Sequence, residues 1–356
     1  MNARIVLILV ILLAVLGGAA LVYQYQERSR RPDNVGTLGQ TPFRDLKAAD
    51  IAQIRITEPK ETLTLQRTDS GWVIAERGKF PADVAKVRDF VLKIISLKVG
   101  QSEPIGDKDR ARLNLDQSGT QIEFLGADGK LLRKLAVGKK YFKREVENPE
   151  KAMADGRFVA VPEEAKLVYI VSDPLAQATP KSAEWIDKAS FQVEKVKTLE
   201  VRYPDGSGWR IERDGDNADW KLAGLKAGEK LDVSRANAAS YSLSLLELAD
   251  VAPAETKDIP DPTLVKATTL DGLSYDIQVG KLQGDNYPVR FTSSGSVAPN
   301  EAGKGQPQDA ERLKKLEERR PREKMLSEHT LLVPKSKLED TLKKRDDLLE
   351  KKDAKK

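Results

Sequence analysis

Few residue types in this chain could do chemistry. The sequence has 356 residues with no cysteine and one histidine, His329, so it offers neither a thiolate nucleophile nor a cluster of His and Cys metal ligands. A Ser-His-Asp site would have to use His329, and no Gly-x-Ser-x-Gly turn is present to hold the serine. Neither a dinucleotide nor a phosphate-loop motif is present. We therefore expect His329 to be an ordinary strand-edge residue, and we predict no cofactor.

Paired carboxylates are the enzymatic chemistry that the composition permits, because glycoside hydrolysis needs only two acids at a defined separation. The candidate acids are Asp69, Asp83, Asp116, Asp205, Asp216, Asp219 and Asp232. Nearly all of them lie at predicted turns or helix starts, where an aspartate oxygen bonds the backbone. We therefore expect structural roles, and the sequence predicts no catalytic, cofactor-binding or metal-binding residue.

The tryptophans could form a sugar-binding platform or lie in a core. They are Trp72, Trp185, Trp209 and Trp220. Trp72 and Trp220 occupy corresponding positions of an internal repeat, as core residues would. Trp209, within Gly206–Arg210, has a weaker claim to the core.

These residues belong to a chain that begins with an uncharged stretch, Ile5–Tyr23. A helix of nineteen residues is about 28 Å long, close to the hydrocarbon thickness of a bilayer. The stretch predicts a transmembrane anchor at residues 1–23, through which the chain would contact the bilayer, followed by a polar tether at 24–43. The alternative is a signal peptide that is cleaved after the small residues Gly18-Ala19-Ala20.

The orientation of the anchor has conflicting signals. Arg4 precedes the apolar stretch, whereas Arg28, Arg30 and Arg31 follow it, and an excess of basic residues marks the cytoplasmic side. A short basic start before an apolar segment is, however, also typical of an export signal-anchor. The basic residues therefore leave both orientations open.

The net charge of +5 is unevenly distributed. Residues 311–324 and 343–356 each contain seven Lys or Arg and four Asp or Glu, so each segment contributes +3. The rest of the chain is near neutral, which does not favour a nucleic-acid-binding body. The absence of cysteine is compatible with an oxidising envelope compartment.

The pattern along the body predicts an α+β fold of mostly antiparallel sheet plus helix, in two tandem copies. The first copy spans residues 44–192 and the second spans 193–340 with a charged, helical insertion near 299–328. Ile51–Ile56 corresponds to Val196–Val201, and Val137–Lys139 to Val279–Lys281, at offsets near 145. Residues 341–356 are predicted as a basic helix end and tail, because Ser336 and Glu339 form a capping box for a helix through Leu349.

The repeated unit resembles the bacterial domain-of-unknown-function 4340 (DUF4340) family. The resemblance rests on the order of its parts: the turn Asp69–Trp72, the helix start Phe80–Asp83 and the hairpin exit Val137–Lys139. It covers roughly residues 44–290 and supplies no catalytic residues. It implies an anchored, envelope-facing protein associated with ABC-type export or gliding-motility components.

Three functions follow as hypotheses. The first is a noncatalytic protein of the inner (cytoplasmic) membrane, with a single span and a periplasmic body, that is an accessory or scaffold for a membrane-protein partner. The second is an envelope glycan hydrolase that depends on carboxylates. The third is a cytoplasm-facing scaffold whose basic tail binds lipid. We expect the first, with no nucleic-acid partner; the sequence identifies no small-molecule ligand.

Overall fold

A computed structural model describes residues 39–43, 45–162, 166–188, 192–256, 258–295 and 307–351. The predicted anchor Ile5–Tyr23 and residues 24–38 of the predicted tether lie outside these ranges. Across the described ranges, no helix combines the length and the apolar character that crossing a bilayer requires.

The described chain has an α+β fold that divides into two compact units. The first unit comprises the described residues up to Thr62 together with Asp89–Thr179, and the second comprises Leu63–Arg88 together with the described residues from Pro180 onward. The first has the strands β1 (Gln53–Glu58), β5 (Val99–Pro104), β6 (Thr120–Leu125), β7 (Leu131–Tyr141), β8 (Gly156–Ala160) and β9 (Leu167–Val171). The second has β2 (Glu61–Thr68), which begins just before the boundary, and β3 (Gly71–Ile74), β4 (Phe80–Pro81), β10 (Val196–Arg202), β11 (Gly208–Glu212), β12 (Lys221–Leu222), β13 (Asp250–Val251), β14 (Thr263–Thr269), β15 (Ser274–Val279), β16 (Asn286–Ser294) and β17 (Leu331–Pro334).

The described helices are short, with one exception. They are α1 (Val84–Ile95), which crosses the unit boundary, α2 (Asp107–Arg112), α3 (Val233–Tyr241), α4 (Pro307–Ser327) and α5 (Lys335–Leu338). The predicted helix after Phe80–Asp83 is confirmed as α1, and Asp83 accepts hydrogen bonds from the backbone N–H groups of Ala85 and Lys86 at its start.

Alternating burial organises the first unit. In the antiparallel pair β1 and β6, Ile54 faces Phe124 across the strands, and both side chains are fully buried. The next pair, Arg55 and Glu123, lies on the other face of the sheet, where the guanidinium and carboxylate are 3.3 Å apart. Side chains alternate between faces because a strand repeats every two residues, so one face forms the core.

The hairpin between β6 and β7 turns at Asp128-Gly129, and an Asp-Gly pair between two strands is a strong sequence signal for a hairpin. Gly129 has a φ of +75°, a conformation that glycine adopts without a steric penalty. Asp128 accepts a hydrogen bond from the backbone N–H of Lys130. Strands β6 and β7 pair antiparallel on either side of this turn.

The second unit uses the same alternation. In the antiparallel pair β10 and β14, Val201 faces Val265 and Leu199 faces Ala267, and all four side chains are buried. Its large sheet has the strand order β12-β11-β10-β14-β15-β16-β17-β13. The separate segment 63–88 of this unit pairs β2 with β3 and β3 with β4.

Six strands of each unit follow the same path. In the first unit the order is β1-β6-β7-β8-β9-β5, and in the second it is β10-β14-β15-β16-β17-β13. In each unit, the first strand of this path (β1 or β10) pairs with the first strand of a four-stranded antiparallel meander (β6 to β9, or β14 to β17). The last strand of the meander then pairs with a strand that precedes the meander in sequence.

The C-terminal segment differs from its prediction. We expected a helix from Ser336 through Leu349, but α5 ends at Leu338, and its N-cap is Pro334 without a side-chain cap. Arg345–Leu348 is a separate 3-10 turn. The backbone of residues 341–350 bonds to other parts of the second unit: Leu349 forms an antiparallel bridge with Leu231. These long-range bonds replace the helical ones.

Two aromatic side chains hold this segment. Tyr203 donates its hydroxyl to the carbonyl oxygens of Leu342 (3.0 Å) and Lys343 (2.6 Å), and the indole N–H of Trp209 also donates to the Lys343 oxygen (2.7 Å). The Lys344 ammonium lies 3.5 Å from the centroid of the Tyr203 ring, a cation–π distance. The segment therefore covers both rings.

An ion pair with Glu229 holds Arg345, the next residue of the C-terminal segment. The Arg345 guanidinium donates to both carboxylate oxygens of Glu229, at 2.6 and 3.3 Å, and to the carbonyl of Gly224. The Arg345 hydrogen bond is the largest cause that lowers the pKa of Glu229 to about 2. Because Lys343 also pairs with Asp340, three consecutive cations of the predicted basic tail have partners within the fold.

Replacing Tyr203 with phenylalanine removes the donor for two backbone carbonyls and keeps the ring. We expect Tyr203→Phe to lower the free energy of unfolding by about 1 to 2 kcal/mol, measured by urea denaturation. Tyr241→Phe is the matched control, because Tyr241 is 77% exposed, and it should change stability by less than about 0.5 kcal/mol. Equal effects of the two substitutions would show that the Tyr203 hydroxyl does not hold the segment.

Candidate functional site

Helix α4 distinguishes the second unit from the first. In the first unit, β8 and β9 are joined by residues 161–166, whereas the corresponding β16 and β17 are joined by residues 295–330. Antiparallel neighbours can be connected by as few as two residues, so α4 is not needed to close this hairpin. Helix α4, Pro307–Ser327, lies within the segment near 299–328 that the sequence predicts as a charged, helical insertion, and it is our candidate functional element.

A buried acid attaches α4 to the second unit. Glu323 is 7% exposed, and both of its carboxylate oxygens accept from the hydroxyl of Tyr275 at 3.4 Å. Arg319, one turn earlier on α4, donates to Glu323 at 3.3 Å, to Glu194 at 2.9 Å and to the backbone oxygen of Gln192 at 2.6 Å. The network joins the helix to β15 and to the segment before β10.

Burial dominates the electrostatics of this network. Desolvation raises the pKa of Glu323 above its ordinary value, and the charge of Arg319 opposes this shift without cancelling it. The pKa of Tyr275 is raised, first by burial and second by the neighbouring Glu323 charge. An acid with a raised pKa in a partly closed site is typical of functional positions and of structural networks alike.

The remaining contacts fix the second half of α4. Leu326 is 1% exposed, and Arg322 donates to both carboxylate oxygens of Asp187 at 3.0 and 3.1 Å. Arg320 donates to the carbonyl of Gly295. One side of the helix is therefore bonded to the fold at several points.

The other side of α4 presents charge to solvent. Lys314, Glu317, Glu318 and Lys324 are exposed, and the side chains of Lys314 and Glu318 are 3.9 Å apart. An exposed ion pair of this kind contributes little to stability. The pattern of alternating sign is suited to recognising a complementary surface.

A polar cleft of about 410 Å³ lies between α4 and β16. Its polar lining comes from Thr292, Ser293, Ser294, Arg320, Glu323, Lys324 and Ser327. Hydroxyls, two cations and one buried acid can form hydrogen bonds with polar groups of a bound partner.

The seven aspartates are spread along both units. Four of them accept hydrogen bonds from backbone N–H groups that lie two or three residues later in the sequence. These four are Asp83, Asp116, Asp205 and Asp232. Asp216 accepts from Arg213 instead, and Asp69 and Asp219 are exposed loop residues. Turn and cap roles are therefore confirmed for the first four.

The tryptophans agree with their predictions in part. Trp220 is 5% exposed, which confirms its core position, but the corresponding Trp72 is only partly buried. Trp209 was predicted to be a weaker core candidate than the other two, and that prediction was wrong, since Trp209 is buried with 5% exposed. Its burial depends on the C-terminal segment around Lys343, which is distant in sequence. Trp185, at 1%, is also buried.

His329 lies two residues before β17 and is half-buried. Its ring meets the ring of Phe80 edge-on at a centroid distance of 5.1 Å and packs beside Gly78. Burial lowers the pKa of His329. The buried hydroxyl of Ser182 donates directly to both oxygens of Asp250, at 2.8 and 2.9 Å, with no imidazole between them. Within the described ranges, no three His, Asp or Glu side chains come together as metal ligands.

Glu323→Gln tests the buried acid. Because the folded-state pKa of Glu323 is raised above 4.5, its stabilising contribution is complete below that pH and is lost as the pH rises through the folded-state value. We expect the free energy of unfolding of Glu323→Gln, relative to the unsubstituted protein, to increase from pH 4.5 to pH 8. Urea denaturation at four pH values measures this difference.

The control for that experiment is Glu317→Gln, on the exposed side of the same helix. It should follow the pH profile of the unsubstituted protein. If the relative stability of Glu323→Gln does not change with pH, or falls as pH rises, Glu323 is not a desolvated acid.

Comparison with known proteins identifies a family. Residues 72–271 match the family described as a domain of unknown function (DUF4340). No curated protein and no solved structure matches the chain.

Proposed function

We propose, from the premise that this chain belongs to the DUF4340 family, that it is a noncatalytic accessory protein or scaffold for a membrane complex. In this proposal Ile5–Tyr23 anchors the chain in the inner membrane, and the body faces the periplasm. The partner is a membrane protein of an ABC-type or motility-associated system, as the family resemblance implies. The uncharged length of Ile5–Tyr23 supports the anchor.

The observation that carries the proposed role is α4. The helix is not required to join β16 to β17, yet Tyr275 and Arg319 hold its Glu323 in a buried network. A rigidly held helix with exposed charges of both signs can bind a partner without losing much conformational entropy. This arrangement is better suited to a docking element than to a segment that only connects two neighbouring strands.

We also propose that the body arose as two tandem copies, at residues 44–192 and 193–340. The shared path of six strands supports this origin, together with the position of α1 and α3 ahead of the strands β5 and β13. The copies would then differ chiefly by α4. A duplication followed by an insertion in one copy leaves the core intact, because the insertion enters at a hairpin connection.

The cytoplasm-facing alternative has less support. It requires the basic tail to bind anionic lipid, whereas Lys344 and Arg345 are paired with Asp205 and Glu229. Binding lipid through these side chains would first have to break the contacts that hold the C-terminal segment.

A topology reporter tests the orientation. A reporter that is active only in the cytoplasm, fused after Lys356, should be inactive, and one that is active only in the periplasm should be active. The reverse result would place the body in the cytoplasm and contradict the proposal. Fusions after Lys47, close to the start of the described body, control for reporter position.

Site-specific crosslinking tests the role of α4. A photoreactive residue at Glu317 should yield an adduct with a membrane protein in intact cells. The double substitution Lys314→Glu with Glu318→Lys keeps the net charge and the ion-pair spacing but inverts the charge pattern. We expect it to reduce the adduct at least about fivefold without lowering stability, since specificity at an interface depends on complementary charge.

The matched control exchanges another exposed ion pair, Lys266 and Asp276, whose side chains are 3.2 Å apart. Lys266→Asp with Asp276→Lys should leave the adduct unchanged. Equal losses with both exchanges, or no membrane-protein adduct at Glu317, would remove α4 as the docking element.

A further inference from the structure

A second open cleft, of about 730 Å³, lies beside α3 in the second unit. Among the residues that line it are Glu194, Lys195, Asn237, Ser240, Tyr241 and Ser244. Its volume is within the range of small-molecule sites, which is about 300 to 1,000 Å³. The proposed docking role of α4 does not involve this cleft.

Tyr241 gives the cleft an exposed aromatic surface. It is the last residue of α3, and its side chain is 77% exposed. A tyrosine ring has a flat apolar face and a polar hydroxyl at one end, and covering the apolar face with a ligand stabilises the complex. Its exposure in a cleft lined by polar groups indicates a ligand with both apolar and hydroxyl-bearing faces.

Asn237 is oriented by a buried partner. The indole N–H of Trp220 donates to Oδ1 of Asn237 at 2.8 Å, which assigns the amide orientation. The amide nitrogen Nδ2 is therefore the group that Asn237 offers as a donor in the cleft. The Arg213 guanidinium lies 4.7 Å from the centroid of the Trp220 ring and supports the same tryptophan from its face.

The serines of the cleft offer acceptors. Ser240 donates its hydroxyl to the carbonyl of Asn237 at 3.0 Å, and Ser244 donates to the carbonyl of Tyr241 at 2.7 Å. With their protons used in this way, both oxygens are left with lone pairs for a ligand hydroxyl. Donor and acceptor groups therefore lie together next to the aromatic ring.

The charged groups of the cleft largely compensate one another. Arg213 pairs with Asp216 at 2.9 Å, and Glu194 accepts from Arg319 at 2.9 Å. Lys195 is the remaining exposed cation among the lining residues. A phosphate or a polyanion would find little net positive charge here, so the cleft favours a neutral polar ligand.

We infer that this cleft binds a neutral oligosaccharide. A sugar ring has an apolar C–H face, which would stack on Tyr241, and a rim of hydroxyls, which would bond to Asn237, Ser240 and Ser244. A volume of about 730 Å³ is sufficient for a short oligosaccharide. The structure thus assigns a glycan-binding surface to the second unit, and no chemical step is required of it.

Titration of the full-length chain tests this inference. The protein is purified in lauryldimethylamine oxide, because maltoside detergents contain sugar, and is titrated with cellotriose, chitotriose and maltotriose. We expect saturable binding of at least one trisaccharide at millimolar concentration or below, with a change in tryptophan fluorescence from Trp220. Tyr241→Ala should weaken the binding at least tenfold, Asn237→Ala about threefold or more, and Tyr241→Phe less than threefold.

Met153→Ala is the matched control, because this large side chain is 91% exposed and lies in the first unit. It should leave the affinity unchanged. The inference is overturned if none of the trisaccharides binds at concentrations up to about 20 mM, well above the expected millimolar range. It is also overturned if Tyr241→Ala binds as tightly as the unsubstituted protein, or if inorganic phosphate competes for the site. Release of reducing ends from a bound trisaccharide would overturn the binding-only role.

Discussion

Alternating burial along antiparallel strands is the constraint on which both units depend. Ile54 and Phe124 in the first unit, and Val201 and Val265 in the second, face each other across strand pairs with the charged residues Arg55 and Lys266 on the opposite face. A slip of one residue would exchange these two faces and bury the charges. The cost of burying unpaired charge therefore fixes the register and, through it, the position of every loop and helix that the sheets support.

The polar contacts of the second unit act on this fixed frame. Glu323 is tolerated in a buried position because Tyr275 and Arg319 supply hydrogen bonds, and the C-terminal segment is held because Tyr203 and Arg345 bond across large sequence separations. Removing one partner from such a network leaves a buried group without its hydrogen bond, which costs more than the bond itself contributes. The second half of the proposed docking helix and the C-terminal segment are thus held to the fold by the same kind of contact.

Local features of the candidate surfaces could be predicted, but their exposure could not. The charges of α4 and its helical character are evident in the sequence, and Arg319 and Glu323 have the four-residue spacing of a helical pair. Nothing in that spacing indicates that Glu323 is buried against Tyr275. The exposure of Tyr241 could not be predicted either, because its ring borders a polar cleft that residues from several elements form together.

The sequence by itself determined the α+β class, the Asp128-Gly129 hairpin, the start of α1 and the charged insertion. These follow from side-chain periodicity and from hydrogen bonds between residues a few positions apart. Only the tertiary structure decided that Trp209 is buried, that the capping box of Ser336 and Glu339 does not open a long helix, and that Glu323 is desolvated. Each of these depends on a partner more than forty residues away or on a surface made by several strands, and local propensity is weaker than the free energy of such contacts.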